Sequence, residues 1–318
     1  MTIPLLRIGT RGSPLALAQA GELARRLAAA HHELSAPDAV EIVVIHTTGD
    51  KVLDRSLAAI GGKGLFTKEI EEALAANRID LAVHSLKDME TSLPDGLVIA
   101  GCLQREDPRD VFISPRAASL LGLPEAAVLG TASLRRQAQI LRARPDLRVV
   151  PMRGNVGTRL AKLAAGAVDG TLLALAGLKR LGLEQNITEI LSTEMMLPAP
   201  GQGIVAVETR KRDMRSQEYL VALNDAAACA CANAERAVLA ALDGSCRTPI
   251  AALAEIDSQS RLTLRARLLR PDGSESFDAF RTGTASEAAV LGREAGEELR
   301  LNAGPAFFDM LLPRDSAP

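Results

Sequence analysis

Leu5-Leu6-Arg7-Ile8-Gly9-Thr10-Arg11-Gly12-Ser13-Pro14-Leu15-Ala16-Leu17 sets the architecture of the whole chain. Leu5–Gly9 reads as a short buried strand. Ser13 suits a helix N-cap, and Pro14 fits the first helical position, where a missing N–H costs nothing. The helix is expected to reach Ala30. The same unit then recurs. Glu41–His46 is β-branched and apolar, which predicts a strand. Thr67–Asn77 has helical spacing in Ile70, Ala73 and Leu74, and Asp80–His84 reads as a strand running into Ser85-Leu86-Lys87-Asp88. Ala127–Gly130, Leu147–Met152 and Thr171–Leu175 read as further strands, the first two followed by helices. This alternation predicts an α/β fold with largely parallel sheets. Ligands of such sheets bind beyond the carboxyl ends of the strands, where Gly9–Ser13 and Ser85–Asp88 fall.

Two charged or Pro-rich zones, Arg105–Asp110 and Leu197–Gly203, read as the two crossings of a hinge. The expected organisation is a discontinuous α/β domain over residues 1–104 and 200–220, with a second α/β domain inserted at 105–199. A C-terminal α+β domain is expected over 221–318. It comprises a helix at Ala226–Leu242, strands at Ile250–Glu255, Leu262–Leu268 and Phe277–Thr282, and a last helix at Ser286–Leu301. Pro313–Pro318 is expected to fray.

The 318 residues are 47% hydrophobic, which is enough for sizeable cores. Six Phe, one Tyr and no Trp argue against aromatic stacking platforms for nucleic acid or sugar. Lys plus Arg number 37 against 39 Asp plus Glu, so the chain is no general polyanion binder and any anion site must be local. No apolar run reaches the ~18 residues of a membrane span, and the N-terminal stretch does not read as a signal peptide. A cytoplasmic location is expected. The four Cys make no disulfide framework and no zinc spacing. Neither a phosphate-binding loop nor a dinucleotide fingerprint occurs.

Cations gather at the expected strand ends: Arg11, Lys63, Lys87, Arg135, Arg136, Arg153, Arg159 and Arg180. Most adjoin Gly, Ser or Thr at a helix start, where free N–H groups and the dipole favour anions. The implied ligand is polyanionic, with phosphate and carboxylate both open. Asp88 lies among these cations, either as their counter-ion or as a general acid or base. Cys102, Cys229 and Cys231 read as packing residues. Cys246 differs, because a loop thiol beside Arg247 can be a nucleophile.

Taken together, Thr10–Leu17, Gly61–Phe66, His84–Asp88, Arg105–Asp110, Ser133–Arg136, Arg153–Arg159, Ala176–Gly182 and Gly244-Ser245-Cys246 resemble the porphobilinogen deaminase (hydroxymethylbilane synthase) family. The matches follow the family's order along nearly the whole chain. The resemblance implies two lobes related to periplasmic binding proteins plus a third domain. It implies a transferase of tetrapyrrole biosynthesis, while the neutral, self-contained three-domain chain fits a monomer and its composition points to neither nucleic acid nor membrane as a partner. The reaction joins four porphobilinogen molecules head to tail, with loss of ammonia, into hydroxymethylbilane. A dipyrromethane cofactor is held by a thioether to the loop Cys, and Cys246 matches that Cys.

Each pyrrole carries an acetate and a propionate, so a six-ring intermediate bears about twelve carboxylates that need an Arg and Lys cluster. On the resemblance, Lys87, Asp88, Ser133, Arg135, Arg136, Gly154 and Arg159 hold the cofactor. Arg11, Ser13, Lys63, Phe66, Ser85, Arg153, Arg159, Arg180 and Gln202 serve the substrate. Asp88 is the catalytic carboxylate, stabilising the azafulvene cation left when ammonia departs. Residues 47–64 match an active-site lid, with Phe66 beyond it to cover a pyrrole ring. Ala59 stands where several relatives have Lys, Met89-Glu90 where a small apolar residue and Pro are frequent, and Ala132 where Ser is frequent. Two other readings compete: a two-lobed anion receptor and a phosphate-handling transferase. The third domain with its loop Cys counts against the first, and the missing phosphate loop against the second.

Overall fold

The computed structural model describes residues 4–51, 64–243 and 248–309. Its elements begin β1 (Leu6–Thr10), α1 (Pro14–Ala30), β2 (Val40–Val44), α2 (Thr48–Lys51), α3 (Lys68–Ala75), β3 (Leu81–Ser85) and β4 (Leu97–Cys102). There follow β5 (Asp110–Ile113), β6 (Val128–Gly130), α4 (Leu134–Ala143), β7 (Arg148–Val150), α5 (Val156–Ala164), β8 (Gly170–Ala174), α6 (Leu175–Leu181) and β9 (Glu189–Ile190). The chain continues through β10 (Val205–Arg210), α7 (Met214–Val221), α8 (Ala226–Ala241), β11 (Ile250–Ile256), β12 (Arg261–Leu269), β13 (Ser276–Thr284), α9 (Ala288–Ala303) and α10 (Pro305–Asp309).

Ser13 does cap α1: its hydroxyl accepts from Ala16 N at 3.3 Å, and Pro14 occupies the first turn. Leu23 and Leu27 turn inward from α1 to meet Leu6, Ile8, Leu81 and Val83 of the sheet. Two five-stranded sheets result, in the orders β2-β1-β3-β10-β4 and β7-β6-β8-β5-β9. In each, the first three strands are parallel and the fourth is antiparallel to both its neighbours. The same order therefore occurs twice, joined by two crossings. The chain thus forms two lobes of like topology.

The expectation of largely parallel sheets needs this correction: both sheets are mixed. The strands that mix them, β10 and β5, are hard to read because buried charge interrupts them. Glu208 lies inside Val205-Ala206-Val207-Glu208-Thr209-Arg210, fully buried, 3.2 Å from His84 Nε2. Asp110 opens the four-residue β5 and is equally buried.

The crossings run side by side. Leu103 N donates to Val205 O at 3.0 Å, and Glu106 N to Gly203 O at 3.2 Å. Gly203 has φ +90°, and a Cβ there would lie 2.3 Å from Glu106 O, so only glycine fits. The third unit packs α8 and α9 on the antiparallel sheet β11-β12-β13. Small residues let the two helices approach closely: a Cβ on Gly292 would meet Ala234 O at 2.1 Å. From α8, buried Glu235 pairs with Arg105 at 2.6 Å and accepts from Gly201 N at 2.6 Å and Ala254 N at 2.7 Å. One carboxylate thus ties the third unit to both crossings.

Candidate active site

Carboxyl ends of strands from both lobes converge on the crossings. From the first lobe, β3 ends at Ser85 and passes into a 3₁₀ turn, Leu86–Asp88. From the second lobe, Ser133 caps α4 by accepting from Arg136 N at 3.4 Å, and Asn155 caps α5 by accepting from Thr158 N at 2.9 Å. A small cleft lies between the lobes, lined by Gln19, Ser85 and Lys87 on one side and Gly177 and Arg180 on the other. Gly203 of the return crossing closes its back.

A continuous polar network spans this junction. Lys87 Nζ donates to Gln202 Oε1 at 3.2 Å. Gln202 Nε2 donates to Asp110 Oδ1 at 3.0 Å and to Pro108 O at 2.7 Å. Asp110 in turn accepts from Arg135 Nη2 and from Arg136 Nη2, each at 2.7 Å. Backbone carbonyls hold the far sides of the guanidiniums: Arg135 Nη1 donates to Leu197 O at 2.7 Å, and Arg136 Nη1 to Leu172 O at 2.9 Å. Both arginines are buried. Sequence reasoning placed Asp110 in the hinge only and missed this role. The available signal was a carboxylate directly before a buried strand, in a chain with an Arg-Arg pair at a helix start.

Electrostatics follow from crowding in a dry place. Burial alone would raise the Asp110 carboxyl, but Arg135 and Arg136 outweigh it and hold it well below the usual carboxylate range. Burial lowers Arg135, and brings Arg159 down to about 10 with help from nearby Arg136. Lys87 is half-buried, and burial pulls its ammonium down to about 8 against the attraction of Asp88. Asp88 itself is exposed and acts on both Lys87 and Arg159. The structure thus brings Lys87, Asp88, Arg135, Arg136, Arg153 and Arg159 into one electrostatic cluster.

Other expected residues stand around it. Arg159 Nε donates to Gly154 O at 2.8 Å, in a turn where Gly154 has φ +121°. Arg180 Nη2 donates to Gly203 O at 3.0 Å, and its Nε lies 3.4 Å from Glu22. Ser85 Oγ bonds the Gln19 side chain at 2.9 Å. Phe66 lies beneath the Arg11 guanidinium, 4.2 Å from its ring centroid, a cation–π contact. Glu90, one of the departures from the family pattern, accepts from Gly64 N at 2.7 Å and so anchors the chain where the matched lid ends. Lys63, Cys246 and most of the matched lid, including Ala59, lie outside the described residues, as does Pro313–Pro318.

Fold and site define a two-lobed protein with a cluster of cations at the junction of its lobes and a third unit fastened to the hinge. The family model described as porphobilinogen deaminase, dipyromethane cofactor binding domain matches residues 6–218, and that for the porphobilinogen deaminase C-terminal domain matches residues 229–301. Porphobilinogen deaminase of Nitrobacter hamburgensis is 54% identical over 306 residues, 96% of each chain. The chloroplastic porphobilinogen deaminase of Oryza sativa is 52% identical over 311 residues, 97% of this chain and 87% of that one. Among solved structures, an ABC-transporter periplasmic substrate-binding protein from Coxiella burnetii aligns over 72% of this chain and 96% of its own, at 16% identity and TM-score 0.44. The chain belongs to the porphobilinogen deaminase family and is an enzyme of the transferase type.

The family implies a dipyrromethane cofactor, and the residues present fit one. A dipyrromethane is rich in carboxylates, and Asp110 is a single anion shared by two buried guanidiniums. Arg135 Nε is buried with no hydrogen-bond partner among the described residues. The lowered values of Arg135, Arg159 and Lys87 mark an excess of buried positive charge that an anionic group relieves.

The low Lys87 value carries a prediction. Its ammonium is charged below about 8 and neutral above. Because the folded value lies below the ordinary ~10.4, the cost of burying this charge falls as pH rises between the two, so stability gains there. Anion binding moves the opposite way. The KM for the carboxylate substrate is expected to rise as pH climbs through about 8. Lys87→Met is expected to raise KM at neutral pH and flatten that limb. An unchanged limb in the variant would remove Lys87 from substrate binding.

Proposed function

We propose that this chain joins four porphobilinogen molecules head to tail, with loss of ammonia, into hydroxymethylbilane. It holds its dipyrromethane primer by a thioether at Cys246. The observation that carries this reading is the cationic cluster Lys87, Arg135, Arg136 and Arg159 around Asp88, at the junction of two lobes. The primer, when bound, supplies the pyrrole carbon to which the first unit is added.

The chain's own residues do the rest. Arg135 and Arg136, fixed by Asp110, meet carboxylates with N–H groups already oriented. Lys87 and Arg159 add charge on either side. Asp88 stands beside the departing amine and then beside the pyrrole cation left behind, whose charge its carboxylate offsets. It is also placed to take the proton lost from the attacked ring. Arg180 and Ser85, facing each other across the cleft, hold the incoming acetate and propionate. Phe66 and the matched lid exclude water, which would otherwise trap the cation. We place the enzyme in the cytoplasm as a monomer. Among the described residues, no helix is long and apolar enough to cross a membrane.

The test is the intact mass of the purified protein beside Cys246→Ser. The wild type is expected to carry an excess equal to two linked pyrrole units, absent from the variant. A wild type that stays at the polypeptide mass after incubation with porphobilinogen, consuming none, would refute the reading.

A further inference from the structure

Cys102 and Cys229 are far apart in sequence, and the fold brings them together. Cys102 ends β4, at the edge of the first sheet, and Cys229 lies in the first turns of α8. Asn224 Oδ1 accepts from both, from Cys102 N at 3.0 Å and from Cys229 Sγ at 3.0 Å. Asp225 N donates to Cys102 O at 2.8 Å, while the Asp225 carboxylate caps α8 by accepting from Ala228 N at 2.7 Å. Cys229 packs against the buried apolar cluster that contains Cys102. Neither takes part in the site described above.

We propose that Cys102 and Cys229 form a hydroperoxide-sensitive dithiol, which closes to a disulfide tying the end of β4 to α8. The two sulfurs are unlike. Cys102 is 1% exposed, whereas Cys229 is half-buried and reachable. The neighbouring Cys229 and burial both push the Cys102 thiol up, and the neighbouring Cys102 brings Cys229 down to about 7. Asp225 opposes ionisation of both sulfurs, and Arg236 favours that of Cys102. The N-terminal end of a 16-residue helix favours a thiolate at Cys229.

The Cys229 thiolate attacks a hydroperoxide oxygen. An S–O bond forms, the O–O bond breaks, and the leaving oxygen takes a proton as water or alcohol. Cys102 sulfur then attacks the sulfenic sulfur. The S–S bond forms, the S–O bond breaks, and hydroxide leaves with the Cys102 proton as water. Two thiols are oxidised by two electrons and one hydroperoxide is reduced. Cys231 is the internal control. It is buried beside Glu235 and Arg105, and burial pushes it up to about 11.

The holoenzyme, freed of reductant and treated with hydrogen peroxide, is digested without reduction and weighed. One cross-linked pair containing Cys102 and Cys229, lighter by two hydrogens and restored by dithiothreitol, is expected. Cys102→Ala is expected to stop at a Cys229 sulfenic acid, captured by dimedone. Modification of Cys229 at neutral pH is expected to exceed that of Cys231 by at least about tenfold. Cys102 and Cys229 both remaining reduced while other residues oxidise would overturn the proposal. So would a Cys229 disulfide joining two chains, with Cys102 still free.

Discussion

Asp88→Asn is expected to keep the fold and lose turnover by about 10²–10⁴-fold, the usual worth of a positioned proton-transfer group. The two effects separate because of where Asp88 sits. It is exposed on the 3₁₀ turn after β3. An isosteric change at such a place moves stability by about 0.5 kcal/mol or less. The charge is another matter. Among the described residues Asp88 is the carboxylate that acts on Lys87 and Arg159 together, and removing it leaves less negative charge beside a reacting centre that itself becomes cationic. Substrate carboxylates still find their arginines, so KM should change less than kcat. The checks are steady-state product formation and thermal unfolding on one preparation. Near-normal turnover in a variant with native unfolding would end the assignment, whereas Asp88→Glu should recover part of the lost rate.

The Asp88 position was legible in sequence because local signals are strong there. An apolar run ending in His84-Ser85, then a charged turn, marks a strand's carboxyl edge. The α1 unit was legible for the same reason, since Ser13-Pro14 fixes a helix start by backbone chemistry alone. Strands β5 and β10 were not legible. Each carries a buried carboxylate, Asp110 and Glu208, whose partners lie on other elements. A single sequence offers no way to pair Asp110 with Arg135 and Arg136. That pairing exists because β5 runs antiparallel to β8 and so starts at the sheet edge where β6 ends and α4 begins. The Cys102–Cys229 contact was hidden likewise: both read as packing residues until α8 is set on β4. Local capping survives translation from sequence to structure, and buried polar pairs do not.

Asp110→Asn is the second large effect, and it falls on stability first. The carboxylate accepts from Arg135 Nη2 at 2.7 Å, from Arg136 Nη2 at 2.7 Å and Nε at 3.2 Å, and from Gln202 Nε2 at 3.0 Å. Asn keeps the shape but removes the negative charge that pairs with two buried guanidiniums. Leaving a buried ion pair half-made costs about 3–5 kcal/mol. The pH dependence gives the cause a signature. Asp110 is held well below its unfolded value of ~3.9, so its contribution is fully present above that value and is lost as pH falls through the folded one. The gap between wild type and Asp110→Asn in urea unfolding should therefore be wide at neutral pH and narrow steadily in acid below ~4. A gap that stays constant down the acid limb would mean that packing, not charge, explains the loss. Ligation should show the same cause from the other side. If carboxylates of the primer and growing chain meet the same guanidiniums, primer loading should recover part of the lost stability in the variant. Arg135→Leu should gain less from loading, because it removes one of the two cations that both anions share.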